Sequence, residues 1–118
     1  MNYLSLPKID LHCHLDGSIR PSTICELLNE IQQSPEKYTH IIKDIYNFQN
    51  IKFDENFIKK QCIAPLNTTS LNEYLKCFDY PILIMQTYLN IKRITLELLE
   101  DCANENIKYI EIRYAPLL

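Results

Sequence analysis

Three histidines occur in the chain, and two of them, His12 and His14, stand one residue apart. Ile9, Leu11 and Cys13 alternate with Asp10, His12 and His14, which predicts a strand over Lys8 to Cys13. Side chains of a strand repeat every two residues, so both imidazoles are expected on one face. Two imidazoles at the end of a strand can reach one divalent cation. Zinc suits them best among the abundant metals, and iron and nickel also accept them. Asp16-Gly17 follows as turn chemistry, with Gly17 free to take positive φ. An H-x-H pair alone is a weak signal, and an incidental pair on a strand is its bland reading. His40 has nothing at ligand spacing beside it and reads as a packing or surface residue.

The elements that must hold this pair can be read from periodicity. Pro7 fits the start of the first strand. Pro21 fits the first position of a helix, and Ile24, Leu27, Leu28 and Ile31 then form one apolar stripe that Ser34-Pro35 ends. A second helix is expected from about Glu36 to Tyr46, with Tyr38, Ile41, Ile42 and Ile45 on one face. Residues 54–62 suit a short helix, and Pro65 to Thr69 a loop. Ser70 and Glu73 make a capping box before Leu71, Tyr74, Leu75 and Phe78. That stripe suits a core. Pro81 punctuates the chain, and helix is expected over 82–88 and 90–104, with Ile91, Ile94, Leu98 and Cys102 buried. Asn106 suits the left-handed residue after a helix. Ile107 to Tyr114 reads as a second strand, with Lys108, Ile110, Ile112 and Tyr114 on one face and Tyr109, Glu111 and Arg113 on the other. Two strands separated by helices imply a parallel pair and a crossover.

Composition narrows the classes. The chain has 118 residues, 47% of them apolar, and a net charge of −3. No basic stripe suggests a nucleic-acid partner. No apolar run approaches the ~18 residues of a membrane span. MNYLSLPKID lacks a basic-then-apolar leader pattern. Five cysteines without paired spacing are expected as free thiols in a reducing cytoplasm. The H-x-E with P-C-x-x-C signature of cytidine-type zinc deaminases is absent. A single glycine predicts a mostly helical chain.

LPKIDLHCHLDGSIRPSTICELL (Leu6 to Leu28), SLNEYLKCFDY (Ser70 to Tyr80) and IKYIEIRYAPLL (Ile107 to Leu118) occur in that order. Together they resemble the adenosine deaminase family, over nearly the whole chain. The resemblance implies an α/β fold in which residues 1–118 form the N-terminal part of a (β/α)8 TIM-type barrel, with two of its parallel strands and a mostly helical connection. It implies zinc-dependent hydrolytic deamination of adenosine to inosine. His12 and His14 would bind Zn2+. His14, Asp16 and Gly17 would contact a purine nucleoside, adenosine or deoxyadenosine, with Asp16 on the sugar hydroxyl. Tyr74, Leu75 and Phe78 would form a lid over the purine, a role the same stripe can combine with core packing.

The family's later metal ligands and general acid have no counterpart here, since no H-A-G-E-like segment is present. No catalytic residue is therefore assigned in this chain, and the chain alone is expected to be inactive. About 250 residues are typical of the barrel. Activity would require the remaining residues, in cis or from a complementing chain carrying the rest of the barrel; the alternative is a non-catalytic truncated remnant that pairs with another chain through its exposed faces. An adenine or AMP deaminase is a further reading. Asp10, Glu111 and Arg113 would be interior charges, with Arg113 paired to an interior carboxylate rather than open to solvent. Exposed half-barrel surface predicts aggregation or partial disorder of the isolated chain.

Overall fold

The computed structural model describes residues 2–114. Strand β1 spans Lys8–His14 and strand β2 spans Ile107–Arg113, and the two pair in parallel. Between them lie α1 (Pro21–Gln33), α2 (Glu55–Cys62), α3 (Leu71–Lys76), α4 (Asp79–Ile84) and α5 (Tyr88–Asn104). Met1 of the expected lead-in and Ala115 to Leu118 of the third motif lie outside the described residues.

Local chemistry sets the helix ends. Pro21 opens α1, where its missing N–H costs no bond. Asp54 Oδ1 accepts from Phe57 N at 2.8 Å and caps α2. Ser70 Oγ accepts from Glu73 N at 3.4 Å at the start of α3, and Thr87 Oγ1 accepts from Asn90 N at 3.2 Å at the start of α5. Asn106 takes the left-handed conformation (φ 60°) just past α5. Its carbonyl accepts from Lys8 N at 3.0 Å and its side-chain amide donates to Ser5 O at 2.8 Å. One residue thus ends the last helix and ties it to the start of β1.

The helix expected over 36–46 is not formed. Short 3-10 turns at Pro35–Lys37 and Ile45–Phe48 flank irregular backbone, and Asp44 sits at φ 54°. Ile42 and Ile45 are buried nonetheless. Burial of β-branched side chains, which favour helix weakly, decided the conformation here. Just beyond the segment, Gln32 Nε2 donates to Phe48 O at 2.7 Å and to Ile51 O at 2.6 Å. Pro81 also differs from expectation. It lies within the first turn of α4 rather than between elements, where no intrahelical N–H bond is lost. The break comes later, between α4 and α5.

One core joins these elements. Ile24, Leu27, Leu28 and Ile31 of α1 pack with Ile58 of α2, Ile84 of α4, and Ile94, Leu98 and Cys102 of α5. Cys13, Ile110 and Ile112 bring the sheet against it. Polar bonds between helices lock the α1 and α5 contact. Arg20 Nη2 donates to Asp101 Oδ1 at 2.8 Å, and Thr23 Oγ1 donates to Glu97 Oε1 at 2.6 Å.

The simple alternation along β1 is broken. Asp10 pairs with Ile110 and Cys13 with Ile112, so three steps of β1 oppose two of β2. A β-bulge at Leu11-His12 absorbs the extra residue. Asp10 and Cys13 therefore share the helix side with Ile110 and Ile112. Ile9 pairs with Tyr109 and His14 with Arg113 on the opposite side. Ile9 is 68% exposed and Leu11 61%, so these two do not join Cys13 in the core as strict alternation predicts.

Candidate functional site

The two histidines meet at the C-terminal end of β1. His12 Nε2 and His14 Nε2 are 3.0 Å apart, with ring centroids 4.9 Å apart and planes tilted by 41°. The bulge does not separate them.

A single 3-10 turn, Leu15–Gly17, follows directly. Leu15 is buried in the core and anchors that turn. Ser18 Oγ donates to His14 O at 2.7 Å, and Ser18 N donates to Leu15 O at 3.1 Å, which closes it. Between these anchors Asp16 is only 8% exposed. Its Oδ1 is buried and has no hydrogen-bond partner among the described residues. The nearest cationic candidate is His14 Nδ1, 3.7 Å away. A buried carboxylate oxygen left unpaired is costly, so a site that keeps one is built to receive a donor.

Gly17 does not use positive φ. Its role is steric: a Cβ at this position would lie 3.2 Å from Phe78 Cε1. Phe78 rests edge-on against Tyr74, with centroids 5.5 Å apart. Tyr74, Leu75 and Phe78 form one wall of a cleft of about 640 Å³ whose other wall carries His12, His14, Asp16 and Gly17. All seven residues singled out from the sequence thus border one space. Tyr74 and Leu75 are about half exposed, so α3 overhangs the cleft rather than filling the core. A second cavity of about 300 Å³ adjoins it behind Phe78, bordered by Ile24, Cys62, Cys77 and Pro81.

Sequence reading did not single out Ser18 or Ile82, which also border the cleft. Ser18 stands four residues after His14, a spacing that suits a hydroxyl bond back to the backbone. Arg113 Nη2 lies 3.7 Å from Glu111 Oε2, but both side chains are 45% exposed on the open side of the sheet, so the pair is not the interior one expected. Tyr109 OH donates to Glu111 Oε1 at 2.8 Å and holds that carboxylate. The cysteines are free thiols. Burial pushes the Cys62 thiol up to about 11, which makes it a poor nucleophile near neutral pH. His40 is exposed and stands apart from this cleft.

The donor set fits a metal in part. Zinc–nitrogen bonds of about 2.0–2.1 Å put two imidazole nitrogens on one ion roughly 3–3.4 Å apart. The observed Nε2 separation matches. No group of three or more metal-binding side chains is assembled among the described residues. No helix among them is long and apolar enough to cross a membrane.

Known proteins are similar to this chain in sequence and in fold. The sequence profile described as adenosine deaminase matches residues 7–118. The adenosine deaminase of Vibrio vulnificus (strain YJ016) is 48% identical over 118 residues, all of this chain and 31% of that protein. Those of Shewanella woodyi and Clostridium botulinum (strain 657 / Type Ba4) are 46% and 45% identical, each again with 31% of its length covered. The chain therefore spans about a third of these curated relatives. Among solved structures, Arabidopsis ADAL complexed with IMP superposes with a TM-score of 0.69 at 34% identity, over 98% of this chain and 29% of that one. The Arabidopsis N6-mAMP deaminase MAPDA gives the same values. These are TIM-barrel proteins, and the parallel β1 and β2 with their helical connection are the N-terminal part of such a (β/α)8 barrel. With the profile matched from residue 7 onward and relatives nearly half identical along the whole chain, the chain belongs to the adenosine deaminase family.

Proposed function

We propose that this chain supplies the metal-binding strand and the purine-covering wall for zinc-dependent hydrolytic deamination of adenosine to inosine. The observation that carries this reading is the 3.0 Å approach of His12 Nε2 and His14 Nε2 on the floor of a cleft walled by Tyr74 and Phe78. Zinc, when bound, lowers the pKa of a coordinated water toward neutrality. His12 and His14 would each give it an Nε2 lone pair. For His14, a proton on Nδ1 facing Asp16 leaves Nε2 free for that bond. The orphaned Asp16 Oδ1 would accept a hydrogen bond from a sugar hydroxyl. Tyr74, Leu75 and Phe78 would cover the purine and exclude water from it.

Catalytic zinc takes three or more protein ligands in known hydrolases. The described residues assemble only the imidazole pair, so turnover would need ligands and a general acid from further chain or a complementing partner. In this reading residues 1–118 act as the N-terminal portion of a barrel domain. Free thiols suit a reducing compartment such as the cytoplasm. Adenosine deaminases at 43–48% identity support a nucleoside substrate. A nucleotide is the second reading, favoured by the solved complex of ADAL with IMP.

A chimera that joins this chain to the later portion of the Vibrio vulnificus relative tests the reading. It is expected to bind zinc and to deaminate adenosine and deoxyadenosine faster than AMP or adenine. The isolated chain is expected to show no turnover. His12→Ala or His14→Ala should remove both zinc and activity from the chimera. A folded chimera that neither holds zinc nor deaminates any of the four would overturn it.

A further inference from the structure

We infer that Asp10 and Arg113 are positioning residues that clamp the Leu11–His12 peptide of the bulge and thereby set the spacing of the two imidazoles. The inference rests on the proposed metal role of His12 and His14, and extends it to residues outside the cleft's ligand pair.

The bulge takes one peptide group of β1 out of regular pairing with β2. Its two ends are satisfied by side chains of opposite charge. His12 N donates to Asp10 Oδ1 at 3.0 Å. Leu11 O accepts from Arg113 Nη2 at 3.1 Å. A cationic donor on the carbonyl and an anionic acceptor on the N–H both favour the same peptide orientation, and charge-assisted bonds are the stronger kind. The peptide plane cannot rotate without breaking one of them. That plane carries His12, so the bonds fix where its ring points.

Arg113 is itself held. Glu111 Oε2 lies 3.7 Å from its Nη2, and Tyr109 OH donates to the other Glu111 oxygen at 2.8 Å. Arg113 is also the register partner of His14. One residue of β2 therefore stands opposite one imidazole and bonds the backbone just before the other. Without the clamp the bulge could slip by one residue, which would turn His12 away from His14.

The test uses the purified protein for exchange and the chimera described above for zinc binding. Peptide-resolved hydrogen exchange over Lys8 to His14, metal-free, reports on the clamp. Equilibrium dialysis against zinc reports on the ligand pair. Asp10→Ala and Arg113→Met are expected to speed exchange in this peptide and to weaken zinc binding about tenfold or more, the usual range for residues that orient ligands. Asp10→Asn, which keeps the acceptor oxygen, and Arg113→Lys, which keeps a cationic donor, should recover most of both. The exchange readout stands whether or not zinc binds, so a wild-type chimera without zinc affinity would sink the metal reading and leave the clamp to be judged on exchange. If Asp10→Ala does not fold, Arg113→Met and the two conservative variants decide. Unchanged exchange and unchanged zinc affinity in Arg113→Met, or equal loss in Asp10→Asn and Asp10→Ala, would overturn the inference.

Discussion

Gly17 lies against the ring of Phe78, so close that a Cβ on residue 17 would come within 3.2 Å of Phe78 Cε1. The turn that follows the histidine strand and the residues joining α3 to α4 are therefore in contact through the one residue without a side chain. Gly17→Ala should push the Phe78 ring outward by a few tenths of an ångström. In the chimera, KM for adenosine should rise severalfold with kcat little changed, and stability should fall by no more than about 1 kcal/mol. Steady-state kinetics and a urea melt read both; an unchanged KM would show that the contact does not shape the cleft.

Asp16 Oδ1 is buried without a partner. If it accepts from a sugar hydroxyl, Asp16→Ala should weaken adenosine by about tenfold or more in kcat/KM, since a hydrogen bond to a charged group is worth about 1.5–3 kcal/mol. Deamination of free adenine, which has no sugar, should fall much less. Equal losses on both substrates would assign Asp16 to the histidines instead of the ligand.

Cys62 titrates high because burial disfavours its thiolate. With a pKa of about 11, roughly one thiol in a thousand is ionised at pH 8. Alkylation by iodoacetamide should be far slower than for glutathione at that pH. Its rate should climb about tenfold per pH unit between pH 8 and 10, because a raised pKa leaves the reactive form scarce until the pH nears it. Peptide mass mapping would follow it; fast labelling at pH 7 would contradict the burial.

Thr23 is almost fully buried and its hydroxyl donates to Glu97 Oε1 at 2.6 Å. Thr23→Val keeps the shape and removes the donor. Loss of about 1–2 kcal/mol is expected in a urea melt, the usual cost of a hydrogen bond to a charged group whose partner stays partly buried. An unaltered midpoint would mean that water replaces the hydroxyl freely.

Much of this was legible in the chain itself. Pro21 with Ile24, Leu27, Leu28 and Ile31 specified α1 because the stripe, the start signal and the stop signal agreed. Asn106 was readable because few residues other than glycine tolerate the left-handed conformation. The 36–46 stretch was not, because its isoleucines satisfy helical spacing and irregular burial equally well. The meeting of His12 and His14 followed from period two, yet the bulge beneath them did not. A bulge depends on how β1 aligns with a strand ninety-odd residues later, and no local pattern records that alignment. For the same reason the pairing of Asp10 with Ile110 was not legible, although Asp10 still borders the cleft with both histidines.

Gln32 bonds the carbonyls of Phe48 and Ile51, and Asn29, one turn earlier on α1, donates to Phe53 O at 2.9 Å. These two amides divide the long connection between α1 and α2 into unequal halves. Residues 48–53 are fastened to the helix at fixed points and cannot change length without unfastening. The stretch before them, from Ser34 to Asn47, runs over the surface and is held mainly by apolar packing of Tyr38, Ile41, Ile42 and Ile45. Insertions and deletions there should pass unnoticed by the histidine cleft, which gives the scaffold a place to diversify while its chemistry stays put.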